Sequence, residues 1–185
     1  MSIVLDGTTG ITTPALDSTA KFATADMPVG SVLQVVSTTK TDAFSTTSTS
    51  FVDVTGLAVT ITPTSATSKI LVIVSVQLGA SGASTGMAQI LLVRDSTNIL
   101  VGDANGIRTQ TSFSFYSGGA SADNEGNAGC GTSFLDSPST TSATTYKITI
   151  RAGTGTVGVN RTAQDANSAF TPRGTSTITV MEIAA

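Results

Sequence analysis

The run Lys69-Ile70-Leu71-Val72-Ile73-Val74-Ser75-Val76-Gln77-Leu78 has no polar face before Ser75, so whatever it forms must be covered on both sides. Five of its ten positions are β-branched, which suits a pleated strand better than a helix. At about 3.3 Å per residue the strand would run roughly 33 Å, long enough to be the spine of a domain. Ile70, Val72, Val74, Val76 and Leu78 share one face, and Leu71 and Ile73 share the other. The first face is expected in a sandwich core. The second needs another buried surface, and a further copy of the same chain is the expected source.

The rest of the composition agrees with strands. The chain holds 34 Thr and 23 Ser against 11% charged residues, a balance that favours β-structure and hydroxyl-rich loops, with almost no helix expected. Its 185 residues fit one domain plus an arm. A net charge of −3 with scattered basic residues gives no footprint for nucleic acid. No segment long and apolar enough for a membrane span is evident, and the start, Met1-Ser-Ile-Val-Leu-Asp, does not read as an export signal. The single cysteine, Cys130, cannot form an intrachain disulfide, so stability must come from packing or assembly.

Residues 1–30 read as an extended arm: Ile3, Leu5, Ile11, Leu16 and Phe22 are too sparse to build a core, and Pro28-Val-Gly30 closes the segment with a turn. Residues 31–185 read as the head domain. Strands are expected at Ser31–Ser37, Phe51–Val54, Leu57–Thr62, Lys69–Leu78, Met87–Val93, Asn98–Val101, Thr111–Ser117, Cys130–Leu135, Thr145–Arg151, Val157–Asn160 and Thr175–Ile183. An edge strand or loop is expected around Phe44. Loops are expected at 79–86, 118–129 and 161–174, the three meeting at one end of the domain. Thr145–Arg151, the cleanest alternation, is expected to form a hairpin with Val157–Asn160. These short strands without a helical period predict an all-β fold, an antiparallel, jelly-roll-like β-sandwich with an extended N-terminal arm.

Motifs that suggest chemistry lack the parts the chemistry needs. Gly82-Ala-Ser84-Thr-Gly86 spells a nucleophile elbow, but the chain contains no histidine to take the proton. Gly153-Thr-Gly155-Thr-Val-Gly158 spells a dinucleotide fingerprint, yet the residues after it alternate like a strand and not like a helix. Asp123-Asn-Glu125-Gly-Asn127 lacks the spacing of a calcium loop, and Cys130 has no second ligand. Asn160-Arg-Thr162 fits a glycosylation sequon. No catalytic, cofactor-binding or metal-binding residues are therefore expected, and no enzyme.

Leu5-Asp-Gly-Thr-Thr-Gly-Ile-Thr-Thr-Pro-Ala-Leu16 with Met27-Pro-Val-Gly-Ser-Val-Leu-Gln-Val-Val36 resembles the opening of small structural and tail-fibre-like proteins of tailed bacteriophages. Phe134-Leu-Asp-Ser-Pro-Ser-Thr-Thr-Ser-Ala-Thr-Thr-Tyr-Lys147, Val159-Asn-Arg-Thr162 and Arg173-Gly-Thr-Ser-Thr-Ile-Thr-Val-Met-Glu-Ile183 resemble the same virion proteins. The resemblance implies a compact β-sandwich head that forms a homotrimer, located on the virion after assembly in the host cytoplasm. It implies an N-terminal arm, residues 1–30, that anchors the head to other virion proteins of capsid or tail through Ile3, Leu5, Ile11, Leu16 and Phe22. Thirty residues leave no room for a stem of repeats, which favours a short fibre or capsid decoration over a long tail fibre. The expected contacts between subunits are Leu71, Ile73, Phe113, Phe115, Met181 and Ile183. The alternative is a tail-fibre receptor-binding protein or carbohydrate-binding module that grips host surface glycans through Tyr116, Arg161, Asp165 and Arg173.

Overall fold

The computed structural model describes residues 27–81, 86–117 and 127–185, and within them every regular element is a β-strand. The strands are β1 (Val32–Lys40), β2 (Phe44–Thr46), β3 (Val52–Ile61), β4 (Lys69–Ser81), β5 (Gly86–Arg94), β6 (Thr97–Ile99), β7 (Phe113–Ser117), β8 (Asn127–Asp136), β9 (Thr144–Ala152), β10 (Thr156–Val159) and β11 (Ser176–Ile183). They form two antiparallel sheets packed face to face. The six-stranded sheet runs β1-β11-β4-β10-β2, with β8 along the other side of β4. The five-stranded sheet runs β3-β9-β5-β6, with β7 also on β5.

The spine is β4, which extends its apolar run to Ser81. Ile70, Val72, Val76 and Leu78 are fully buried and Val74 nearly so. They meet Leu57, Val59 and Ile61 of β3, Ile90 and Leu92 of β5, and Tyr146, Ile148 and Ile150 of β9 in one core. The period-two pattern places each of these inward, as alternation on a half-buried strand requires.

Polar clusters close the core at its ends. Across the inner face of the six-stranded sheet, Gln34, Glu182, Ile70 and Asp136 stand in one cross-strand row, with Gln34 and Glu182 forming one cluster and Asp136 anchoring another. Asp136 reaches the opposite sheet: both its oxygens accept from Arg94 Nη1, at 2.9 and 2.8 Å, and its Oδ2 accepts from the Tyr146 hydroxyl at 2.7 Å. Burial and this hydrogen bond to the carboxylate push the Tyr146 phenol well above its usual range, so it stays a donor. A third cluster lies where β4 exchanges neighbours, leaving β11 at Ser75 and taking up β10 at Leu78. Asn160 and Ser176 fill the gap. The Ser176 hydroxyl donates to Asn160 Oδ1 at 2.6 Å, Gln77 N–H donates to that hydroxyl at 3.1 Å, and Asn160 Nδ2 donates to the Lys40 and Asp42 carbonyls. Asn160 is fully buried, so its side chain is structural and inaccessible as a glycan acceptor.

The expected hairpin between Thr145–Arg151 and Val157–Asn160 does not form. In the five-stranded sheet β9 already has β3 on one side and β5 on the other, so it offers no free edge. The chain instead crosses between sheets at 153–155, and β10 pairs with β4 and β2. The Gly153–Gly158 motif spans this crossing and runs into a strand. Phe51–Val54 and Leu57–Thr62 fall on one strand, β3, whose register shifts between Asp53 and Ala58. The expected loops at 79–86 and 118–129 are shorter than their composition suggests, because β4 runs to Ser81, β5 starts at Gly86 and β8 starts at Asn127.

Ile148 is fully buried in the centre of β9, while the neighbouring Lys147 points outward to Asp53 at 2.8 Å. In urea unfolding Ile148→Ala should cost about 2–5 kcal/mol, the range for a large aliphatic removed from a packed core. Lys147→Ala should cost less than about 1 kcal/mol, because its ion pair lies at the surface.

Candidate functional site

The outer face of the six-stranded sheet changes character along its strands. At one end it is apolar. Val35, Met181, Leu71 and Leu135 stand in a single cross-strand row through β1, β11, β4 and β8. Val32 and Ile183 pair beside that row on one side, and Ile73 stands on the other. Val35 and Leu135 are each 54% exposed and Ile73 is 39% exposed, whereas Leu71, Met181 and Ile183 are half-buried by their neighbours. The charge nearest the patch, Lys69, is turned to the Ser137 hydroxyl at 2.8 Å.

Further along the strands the face becomes hydroxyl-rich. Ser37, Thr179, Ile73 and Ser133 form the next row, then Thr39, Thr177, Ser75 and Gly131, and the Ser37 and Thr179 hydroxyls bond at 2.8 Å. Beyond these rows the loop 161–174 lies directly on the sheet. A Cβ on Gly79 would fall 2.5 Å from the Arg161 carbonyl oxygen, and one on Gly158 would fall 2.8 Å from the Arg161 side chain, so only glycine lets the loop settle there.

Four of the six residues expected at a subunit contact, Leu71, Ile73, Met181 and Ile183, thus share one outward face. Phe113 and Phe115 do not join them: β7 belongs to the other sheet, and both rings pack against the core. Val32, Val35 and Leu135 belong to the patch although their sequence neighbourhoods do not mark them. They lie on strands whose composition gives no long apolar run, and only the register brings them beside Leu71. The arm residues Ile3, Leu5, Ile11, Leu16 and Phe22 lie outside the described residues, as do Ser84 of the elbow motif and Asp123 to Gly126 of the acidic loop. The described end of the arm is tied down, with Gly30 N–H donating to the Ala184 carbonyl at 2.8 Å.

Of the residues expected to touch glycan, Arg161, Asp165 and Arg173 come together on the 161–174 loop. Asp165 is 3.2 Å from Arg161 Nη1 and 2.6 Å from Arg173 Nη2, so their charges answer one another. Tyr116 stands elsewhere, on β7 of the five-stranded sheet, exposed. Phe170, 78% exposed on the same loop as the ion pairs, has no pattern in its sequence neighbourhood that would single it out. The strand ends at Ser81, Gly86, Ser117 and Asn127 lie at one end of the sandwich, as the pairings Gly86 with Ser117 and Gly79 with Asn127 require. Cys130 is half-buried on β8, and burial pushes its thiol up, away from the reactive thiolate.

Beneath the apolar end of the face lies Glu182, fully buried. Its oxygens accept from Gln34 Nε2 at 2.6 Å and from the Thr64 N–H and hydroxyl at 2.7 Å each. Burial opposes the charge, but these donors outweigh it and hold the carboxyl below its usual range. With the folded-state value depressed, the stabilisation is present above the unfolded-state value and is lost as pH falls through the folded-state one. Urea unfolding measured from neutral to acid pH should show wild type losing stability below about pH 4.3, the ordinary glutamate range. Glu182→Gln should be less stable at neutral pH and flatten part of that acid dependence.

No protein-family model matches the chain, and no curated protein matches it.

Proposed function

We propose that the protein is a surface structural protein of a tailed-bacteriophage virion, a homotrimeric short fibre or decoration protein whose sandwich is the head and whose residues 1–30 attach it to the particle. The observation that carries this reading is the outward row Val35, Met181, Leu71 and Leu135 with Val32, Ile183 and Ile73 around it. Burying one such side chain is worth about 1.5–3 kcal/mol, and a contiguous apolar patch rimmed by polar residues is the usual mark of a protein contact. Strand alternation and the resemblance to virion proteins point to four of these residues as subunit contacts. The hydroxyl rows on one side supply an uncharged polar rim, and on the other side Lys69, paired with Ile183, is turned to the Ser137 hydroxyl. A chain with one cysteine has no intrachain disulfide, and subunit packing would add to its core the durability an external virion part needs.

Light scattering on the dilute full chain should give the mass of three chains. Leu71→Asp should lose the threefold mass while it retains the β-sheet circular dichroism of wild type, since Leu71 faces away from the core. A wild-type monomer at all concentrations would reject the assembly. Immunogold labelling of purified particles tests the location separately.

A further inference from the structure

Sheet edges invite pairing with other chains, and folded proteins blunt them with short strands, bulges and charges. Among the described residues every outlying strand but one carries such a device. In the six-stranded sheet β2 has three residues, and β1 has a register shift between Val32 and Gln34. In the five-stranded sheet β6 has three residues and β7 five, and β3 breaks register between Asp53 and Ala58 and carries the Asp53 to Lys147 ion pair. The exception is β8. It keeps unbroken register with β4 from Asp136 to Asn127, contains no proline, lysine or arginine, and pairs with no second strand among the described residues. Its single charge, Asp136, is turned inward to Arg94 and Tyr146. Its core-side residues Ala128, Cys130, Thr132 and Phe134 are only half-buried, in contrast to the fully covered Val72 and Val76 opposite them on β4.

We infer that β8 is an adhesive edge that pairs antiparallel with β8 of a second copy, about a twofold axis at Gly131. The strand's own order of side chains favours this occupant over an unrelated strand. Small residues fill its first half and larger ones its second, Asn-Ala-Gly-Cys-Gly and then Thr-Ser-Phe-Leu. Centring the twofold on Gly131 sets Phe134 against Ala128 of the second copy, Leu135 against Asn127, Ser133 against Gly129 and Thr132 against Cys130, so the larger residue of each pair meets a smaller one. Opposed residues keep the same face, as antiparallel pairing requires. No like charges oppose each other, and the contact is isologous, so each copy satisfies the backbone groups of the other. This edge contact shares Leu135 with the apolar face but runs through the backbone of β8, and it stands whether or not that face forms a trimer.

The test is disulfide trapping between two full-length single-cysteine proteins, Gly129→Cys and Ser133→Cys, each also carrying Cys130→Ser. A Cβ at Gly129 meets nothing nearer than the Gln77 amide at 3.9 Å, and Ser133 is exposed, so both proteins keep the fold. Directly opposed antiparallel residues lie about 4.5–5.5 Å apart, within reach of a disulfide. When the two are mixed in equal amounts and mildly oxidised, the mixed covalent dimer should be several-fold more abundant than the two like dimers together. No covalent dimer, or mixed and like dimers in equal amounts as chance would give, would overturn the pairing. The result is independent of the Leu71→Asp mass measurement, so failure of one reading leaves the other standing.

Discussion

The structure depends on β4 having two faces that make opposite demands. Its inner face, Ile70 to Leu78 in steps of two, is the part of the core that every other strand in the six-stranded sheet is arranged around. A strand so apolar must sit in the middle of a sheet, with neighbours on both sides and a second sheet beneath, because an edge position would leave its backbone and side chains wet together. That requirement fixes β11 and β10 on one side and β8 on the other. The outer face then inherits Leu71 and Ile73, which no element among the described residues covers.

Holding two sheets over one core leaves their ends open to water, and the polar clusters close them. Among the described residues Asp136 is the carboxylate that ties the two sheets together, through Arg94 and Tyr146. Removing either donor would leave a buried charge short of partners, which is more costly than losing one surface pair. Glu182 plays a similar part within its own sheet and toward the loop after β3. Asn160 and Ser176 act where the sheet changes strands, and there they replace the ladder bonds that β4 loses between β11 and β10. The sandwich thus has a hydrocarbon centre with hydrogen-bonded polar clusters around it.

Much of the scaffold was legible because alternation reports burial directly. Tyr146, Ile148 and Ile150, like Leu57, Val59 and Ile61, face inward as their spacing requires. Partnership was not legible, since a strand's pattern says which face is buried and not which strand lies beside it. The β9 to β10 step reads as a hairpin because two alternating runs flank a Gly-Thr-Gly turn, and only the occupation of both β9 edges excludes it. Phe113 and Phe115 do share one face, but their pattern could not tell core from exterior. The buried Glu182 gave no signal at all, for its neighbours Met181 and Ile183 make it look like the solvent side of the strand when it is the inner one.

The apolar face and the bare edge meet at Leu135, the last residue of the cross-strand row and a member of β8. As proposed, one contact is threefold through the face and the other twofold through the edge. Either operator alone closes on itself, as a trimer or a dimer, whereas the two together generate larger closed assemblies or a net. A single pair of edge strands buries little area and is reversible on its own, whereas a packed face is the stronger partner. Stable trimers that associate weakly edge to edge would bind cooperatively wherever they are held at high local concentration, because the surface supplies the effective concentration that free solution lacks. The same sheet that gives the subunit its core would then also determine how subunits spread.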